Sequence, residues 1–330
     1  MTATRTAALI ASAWRTPLGA TVDAAMARLY AGERAAIADD RAAYAFETIA
    51  PLRDEPARSR NARFLRRMGL FALEVATEAL AASGVGGGER VGLFSGVGGL
   101  RAHWDDMLAA FAPQRDDGER MWERGLRDVH PYWMLRHLSN NVHAIASAEL
   151  DVRGEGATFG GGNAGAQALA AAIRALHDGA IDAALVVAHD SLLEPETLVE
   201  LGARGWPAAG LVPGEAAAAV VLVREREGAP RLTAHDAAGP GAIDRLASMV
   251  GGHAVAAEDP HARDEAAVVD RVAHRELATA MGQVGAATAV VQAIALAEQL
   301  RARRLDTRAA IGLHESAPGL ASLVHVEVLA

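Results

Sequence analysis

The chain has 330 residues, a formal net charge of −9 and a sequence pI of about 5.7, a balance that argues against a broad nucleic-acid surface. Hydrophobic residues make up 51% but aromatics only 4%, so the core must be built mainly from Ala, Val and Leu with close helix packing. There is no cysteine, which excludes disulfides, thiolate metal sites and a cysteine nucleophile.

In chain order, "AALIASAW" reads as a first strand, "TPLG" as its turn and "TVDAAMARLYAG" as a helix with a glycine stop. Residues 31–60 read as a surface excursion. "RFLRRMGLFALEVATEALAASGV" is a long helix ended by Gly84, and "RVGLFSGVGG" a strand entering a glycine turn. Residues 101–130 suggest a partly helical insertion, and "YWMLRHLSNNVHAIASAEL" is helical but interrupted at "SNN". "AQALAAAIRALHDG" is a helix, "IDAALVVAHD" a buried strand, and "GEAAAAVVLVRERE" a turn feeding a strand.

A second part starts near Arg231 with the strand candidate "RLTAHDAAG". Weakly marked helices fill 243–280. "GAATAVVQAIALAEQLRARRL" is an amphipathic helix, and "AAIGLHESAPGLASLVHVEVLA" is strand, turn, strand. Alternating strands and helices imply an α/β layered fold, although periodicity does not separate one sheet from two. The start lacks a signal-peptide layout, and the longest strongly apolar run, "AAAAVVLV", is far below the roughly 20 residues of a membrane span. A cytoplasmic protein is the expectation.

The stretch "RGEGATFGGGNAGAQAL" poses the central question. Gly160, Gly162 and Gly165 satisfy G-x-G-x-x-G between a strand and a helix, and Asp190 closes the next strand. The spacing to Asp190 is longer than a dinucleotide fingerprint has, and about 150 residues precede the motif where the first βαβ unit should stand. No cofactor is expected. His130, His137 and His143 do not have a recognised zinc spacing, and no metal is expected either.

Several segments, in order over nearly the full length, resemble the β-ketoacyl-acyl carrier protein synthases of the thiolase superfamily. They are "TPLGATVDAAMARLYAG", "RFLRRMGLFALEVATEAL" and "RVGLFSGVGG", then "LSN" at 138–140, "RGEGATFGGGNAGAQAL" and "DGAIDAALVVAHDS", the last close to the family's "GDADVMVAGG". "VPGEAAAAVVLV", "GAATAVVQAIALAEQL" and "SAPGLASLVHVEV" complete the series. The resemblance implies a thiolase-like layered fold of two similar βαβ-containing halves, 1–228 and a shortened 229–330.

It also implies a nucleophilic cysteine at a strand-to-helix elbow, activated by the helix N-terminus. Counting forward from Arg153 puts that position at Asn163; counting backward from Gly179 puts it at Gly162. Neither residue is a nucleophile. The family's second histidine falls at Gln283, with Gly282 the alternative by strict spacing. The first histidine has only His253 as a relic, and the lysine has no match. The closing glycine-rich turn, which supplies an oxyanion-hole amide, has Ser316 and Pro318 in its place, and proline has no amide hydrogen. His314 lies on this turn.

The resemblance thus points to a cysteine-less member like the chain-length-factor subunits. Such a subunit pairs with a cysteine-containing ketosynthase, in a homo- or heterodimeric arrangement, and helps wall its acyl tunnel in fatty acid or polyketide-type biosynthesis. Phe159, Asn140 and the rest of 130–145 are candidates for the tunnel wall or interface. Arg63, Arg66 and Arg67 are candidates for an acidic acyl carrier protein, or else the solvated face of their helix. Two other classes remain open: an acyltransferase using His314 or His253 as a general base, and an acyl-binding scaffold. Glu215 reads as a pairing or capping residue, and Gly214 as a conformational one.

Overall fold

The structure is a computed structural model that describes residues 5–38, 47–52, 56, 61–98, 123, 127–203, 205, 212–249, 254–258, 275–302, 309–317 and 319–328. In the first half, β1 (Ala7–Arg15) ends in a turn closed by reciprocal hydrogen bonds between Thr16 and Gly19, and α1 (Val22–Tyr30) follows under a Thr21 cap. A 3-10 turn, Ala62–Phe64, precedes α2 (Arg67–Ser83), so the long predicted helix is broken just after its "RF". Gly84 ends α2 in the left-handed region, φ 69, as a glycine stop should. Then come β2 (Val91–Val97), α3 (Trp133–His137), α4 (Asn141–Glu149), β3 (Ala157–Gly160), α5 (Ala164–His177), β4 (Ala183–Ser191), α6 (Pro195–Ala203) and β5 (Glu215–Val223).

The second half holds β6 (Arg231–Ala238), α7 (Ala242–Ala247), β7 (Ala254–Glu258), α8 (Arg275–Met281), a 3-10 turn at Gly285–Ala287, α9 (Thr288–Arg301), β8 (Ala309–Ala317) and β9 (Leu320–Glu327). The region expected to hold only helices therefore also contains a strand, β7, paired parallel with β8.

Among the described residues nine strands join one sheet in the order β3-β2-β4-β5-β1-β6-β9-β8-β7. The order repeats outward from the β1–β6 seam. On one side β1 and β5, then β5 and β4, are antiparallel, and β4 and β2 are parallel. On the other, β6 and β9, then β9 and β8, are antiparallel, and β8 and β7 are parallel. The seam itself pairs only Ala7 with Leu232 and Ala8 with Arg231. Two similar halves thus share one hydrogen-bonded sheet.

The halves face each other across two helices. α5 lies against β2, β4 and β6; α9 lies against β8, β9 and β5. α9 is buried almost all round, and α5 on all but the stripe of Gln167, Ala171, Arg174 and His177; Ala, Gly, Val, Leu and Ile account for most of the buried positions. The amphipathic reading of α9 is corrected here: Gln292 and Gln299 are buried with its apolar residues because sheet covers the helix on both sides. The outer face of the first half is covered by α2, through Phe71, Val75, Ala76 and Ala79, and that of the second by α7, through Ala242 and Leu246.

Candidate functional site

β3 is the edge strand, parallel to β2, and ends at Gly160. Gly161 then takes φ 109, which only glycine adopts without strain, and the chain enters α5 through Asn163. The glycines around this elbow serve close packing. A methyl on Gly96 would sit 2.7 Å from the Gly165 nitrogen, and one on Gly165 would collide with the Ala286 carbonyl. α5 is therefore pressed against β2 on one side and the turn before α9 on the other.

Asn163 is 3% exposed, and its Nδ2 is buried with no hydrogen-bond partner. Its backbone, φ −98 and ψ 10, is ordinary, so the elbow stores no strain at that residue. Gly162 lies half-buried in the turn just before it.

The turn covering the elbow carries Gln283. Its backbone N–H donates to Val212 O and its carbonyl accepts from Gly214 N, both at 2.8 Å. The side chain is 3% exposed, with Oε1 buried and unpaired. Gly282 has φ 77, and a methyl there would lie 2.6 Å from the Ile49 side chain, so this position has no room for a functional group. Gly214 shows no positive φ; a methyl would meet Met281 O at 2.7 Å, which makes it a close-approach glycine rather than a conformational one.

Asp190 was the acid of the dinucleotide reading, and the structure employs it otherwise. Its carboxylate accepts Ser191 N at 2.9 Å and Ala286 N at 3.0 Å, and is 5% exposed. Methyl groups on Gly98 or Gly285 would overlap it. The acid thus locks the ends of β2 and β4 to the turn before α9 and does not project toward a ribose. Beside it, burial pushes the His189 imidazole down to about 4, against an upward pull from the Asp190 charge. A cavity of roughly 100 Å³ opens here, its wall including Arg66, Arg136, His137, Asn141, His189 and Glu194.

His314 is 2% exposed on β8, facing Ser322 of β9 and Glu258 of β7 in the ladder. The backbone of Ser316 continues β8. His253 and Pro318 lie outside the described residues. Phe159 is half-buried on β3 opposite Gly96 and packs on the apolar core between the halves. Asn140 is exposed ahead of α4, whereas Asn141 turns inward and donates to the Phe64, Leu135 and Arg136 carbonyls.

The three histidines once weighed as a metal set are engaged separately: His130 with Tyr132 N, His137 with Trp133 O, and His143 with Ser95 Oγ. The arginine group also divides. Arg63 stacks over the Phe64 and Tyr132 rings, and Arg66 lines the cavity. Arg67 does more than face solvent: its side chain is 37% exposed, yet it grips the buried Glu215 through two nitrogens, at 2.6 and 3.0 Å. Glu215 also accepts from Ser191 Oγ and Leu52 N, which bears out its reading as a pairing residue.

The family model of the β-ketoacyl synthase N-terminal domain matches residues 5–228. The chain belongs to the β-ketoacyl synthase family. No curated protein matches the sequence. Among solved structures, a β-ketoacyl synthase from Burkholderia phymatum STM815 is similar with a TM-score of 0.78 at 16% identity, over 99% of this chain and 100% of that one. A type II PKS acyl-carrier protein in complex with its ketosynthase bound to the hexaketide matches with a TM-score of 0.75 at 16% identity, over 98% and 100%. The ishigamide ketosynthase/chain length factor matches with a TM-score of 0.73 at 19% identity, over 98% and 100%. These likenesses establish the thiolase-like fold.

Within this β-ketoacyl synthase fold the elbow offers a buried amide at a helix N-terminus and no thiol. An amide donates and accepts hydrogen bonds but does not form an acyl-enzyme. Among the described residues no helix is long and apolar enough to cross a membrane. Nothing local in the sequence signals the Asp190–Ala286 lock, which joins residues 96 positions apart.

Proposed function

We propose that the chain is a non-condensing, chain-length-factor-like partner of a cysteine-bearing β-ketoacyl synthase in fatty acid or polyketide-type biosynthesis. The carrying observation is Asn163: a buried residue at the N-cap position of α5, its amide making no cap hydrogen bond, in a chain without cysteine. On this reading Asn163 stands in the nucleophile position, Gln283 replaces the second histidine, and Gly162, His314 and Ser316 belong to the same degenerate site. Phe159 and the segment around Asn140 contribute to a tunnel wall or interface. The halves divide at 228/229.

Similarity to an acyl-carrier protein complex and to a ketosynthase/chain length factor supports the partner assignment. The test is co-expression with a cysteine-containing ketosynthase and a carrier protein, followed by native mass measurement and product analysis. A stable heterodimer whose product length differs from that of the ketosynthase alone is expected. The protein by itself stays unacylated when incubated with acyl-carrier protein. Covalent acylation of the lone chain, or failure to associate with any ketosynthase, defeats the reading.

A further inference from the structure

α9 carries a polar stripe on a side that is buried. Thr288, Gln292 and Gln299 are spaced four and seven residues apart, so they lie along one side of the helix. They are 1%, 1% and 3% exposed. Thr288 Oγ1, both ends of the Gln292 amide and Gln299 Oε1 are buried with no hydrogen-bond partner among the described residues. A methyl on Gly312 of β8 would lie 2.7 Å from Gln292 Oε1, which turns the stripe toward β8 and β9.

The strands opposite offer the stripe little. Ala310 and Val324 pack in the core between the halves, and Ile311 and Leu323 pack in the cluster under α7. Alternation therefore gives Gly312, His314 and Ser322 to the α9 side. Glycine brings no side chain, and Ser322 Oγ is also buried without a hydrogen-bond partner among the described residues. Cover on the outside is thin too. α7 has 6 residues, where the first half has the 17 of α2. Sideways, the seam with the first half pairs only Ala7 with Leu232 and Ala8 with Arg231.

Each buried polar atom without a partner raises the closed form relative to one in which water reaches it. Sparse contact inside and thin cover outside mark a region of low local stability. We propose that β8 and β9 lift from α9 as a unit, with β6 as the hinge, while α9 and the first half stay folded. The opening hydrates the stripe and the inner strand face that carries His314 and Ser322. It rests on packing alone and is independent of the ketosynthase-partner reading.

The chain lacks cysteine, so single introduced thiols report access one position at a time. Val324→Cys puts a thiol on the inner face of β9, and Val186→Cys puts one on β4 in the first half; both positions are 0% exposed. Labelling of each full-length variant by a disulfide reagent is followed at urea concentrations below the unfolding transition. Val324→Cys is expected to label about tenfold faster than Val186→Cys or more, with a shallower urea dependence. Adding Gln292→Met removes the amide at similar length and should slow Val324→Cys labelling about tenfold. Thr288→Val supplies the same comparison if that variant does not fold. Arg67→Ala weakens the first half, so it should speed Val186→Cys and leave Val324→Cys unchanged. Equal rates and urea slopes at the two thiols overturn the proposal. So does an equal acceleration of both by Arg67→Ala, or a Val324→Cys rate that the stripe substitutions do not lower.

Discussion

The Asp190 carboxylate accepts the Ala286 backbone N–H at 3.0 Å, tying the end of β4 to a turn 96 positions later in the chain. Removing it leaves the Ala286 and Ser191 amides buried without their acceptor. Asp190→Ala should therefore cost about 2–4 kcal/mol in urea unfolding. The packing makes a sharper test. Gly98→Ala alone forces its methyl into the carboxylate, whereas in an Asp190→Gly background the methyl has space. The two changes should be non-additive by about 1 kcal/mol or more, and additivity would mean the two residues do not share that space.

Arg67 and Glu215 form the other concealed attachment. Glu215 is 1% exposed, and Arg67 supplies the charge that compensates it. Arg67→Ala should lower stability by about 3 kcal/mol because it strands a buried carboxylate. The double change Arg67→Met/Glu215→Gln should recover part of that loss, measured by the same denaturant midpoint.

His189 gives a pH dependence of definite sign. Its folded pKa is about 4 against an ordinary 6.5, so between those values the unfolded chain holds more protons. Stability contributed by the neutral ring is complete above pH 6.5 and is lost as pH falls toward 4. The loss from this group is at most about 3 kcal/mol. His189→Gln should flatten the profile of unfolding free energy across that window, and an unchanged slope would assign the acid sensitivity elsewhere.

Asn163→Cys tests whether the elbow alone limits the chemistry. The variant carries the sole thiol of the chain, so a single mass shift reports its labelling. The α5 N-terminus should favour the thiolate, but burial should keep its alkylation below that of a surface cysteine control until the chain is unfolded. On the proposed reading, in which Gln283 replaces the second histidine, condensation should still be absent, since an amide does not carry a proton as a histidine does. Measurable condensing turnover by this variant would show that the remaining machinery is intact.

The fold was largely readable from the sequence because local signals agreed with it. The apolar runs of β1, β4 and β5 and the glycine stops at Gly84 and Gly179 all recur in the structure. Long-range relations were not readable. Arg67 looks like an ordinary member of an exposed basic group until Glu215, 148 positions away, is brought beneath it. Asp190 fits a ribose-binding pattern until Gly98 and Gly285 close around it. Gln292 and Gln299 give α9 a polar stripe, and only the packing of β5, β8 and β9 against the helix reveals that this stripe is interior. The lack of a thiol was legible because it needed only the absence of a residue type.

The contact between Gly165 and Ala286 bears on how freely such a chain can diverge. A family member without a cysteine would be expected to tolerate any residue around the elbow. Here α5 is also the spacer between the halves, and a single methyl at Gly165 would collide with the Ala286 carbonyl. On the proposed reading Asn163 is released from one requirement while its neighbours stay bound by another, because the separation of the two halves decides which side chains fit.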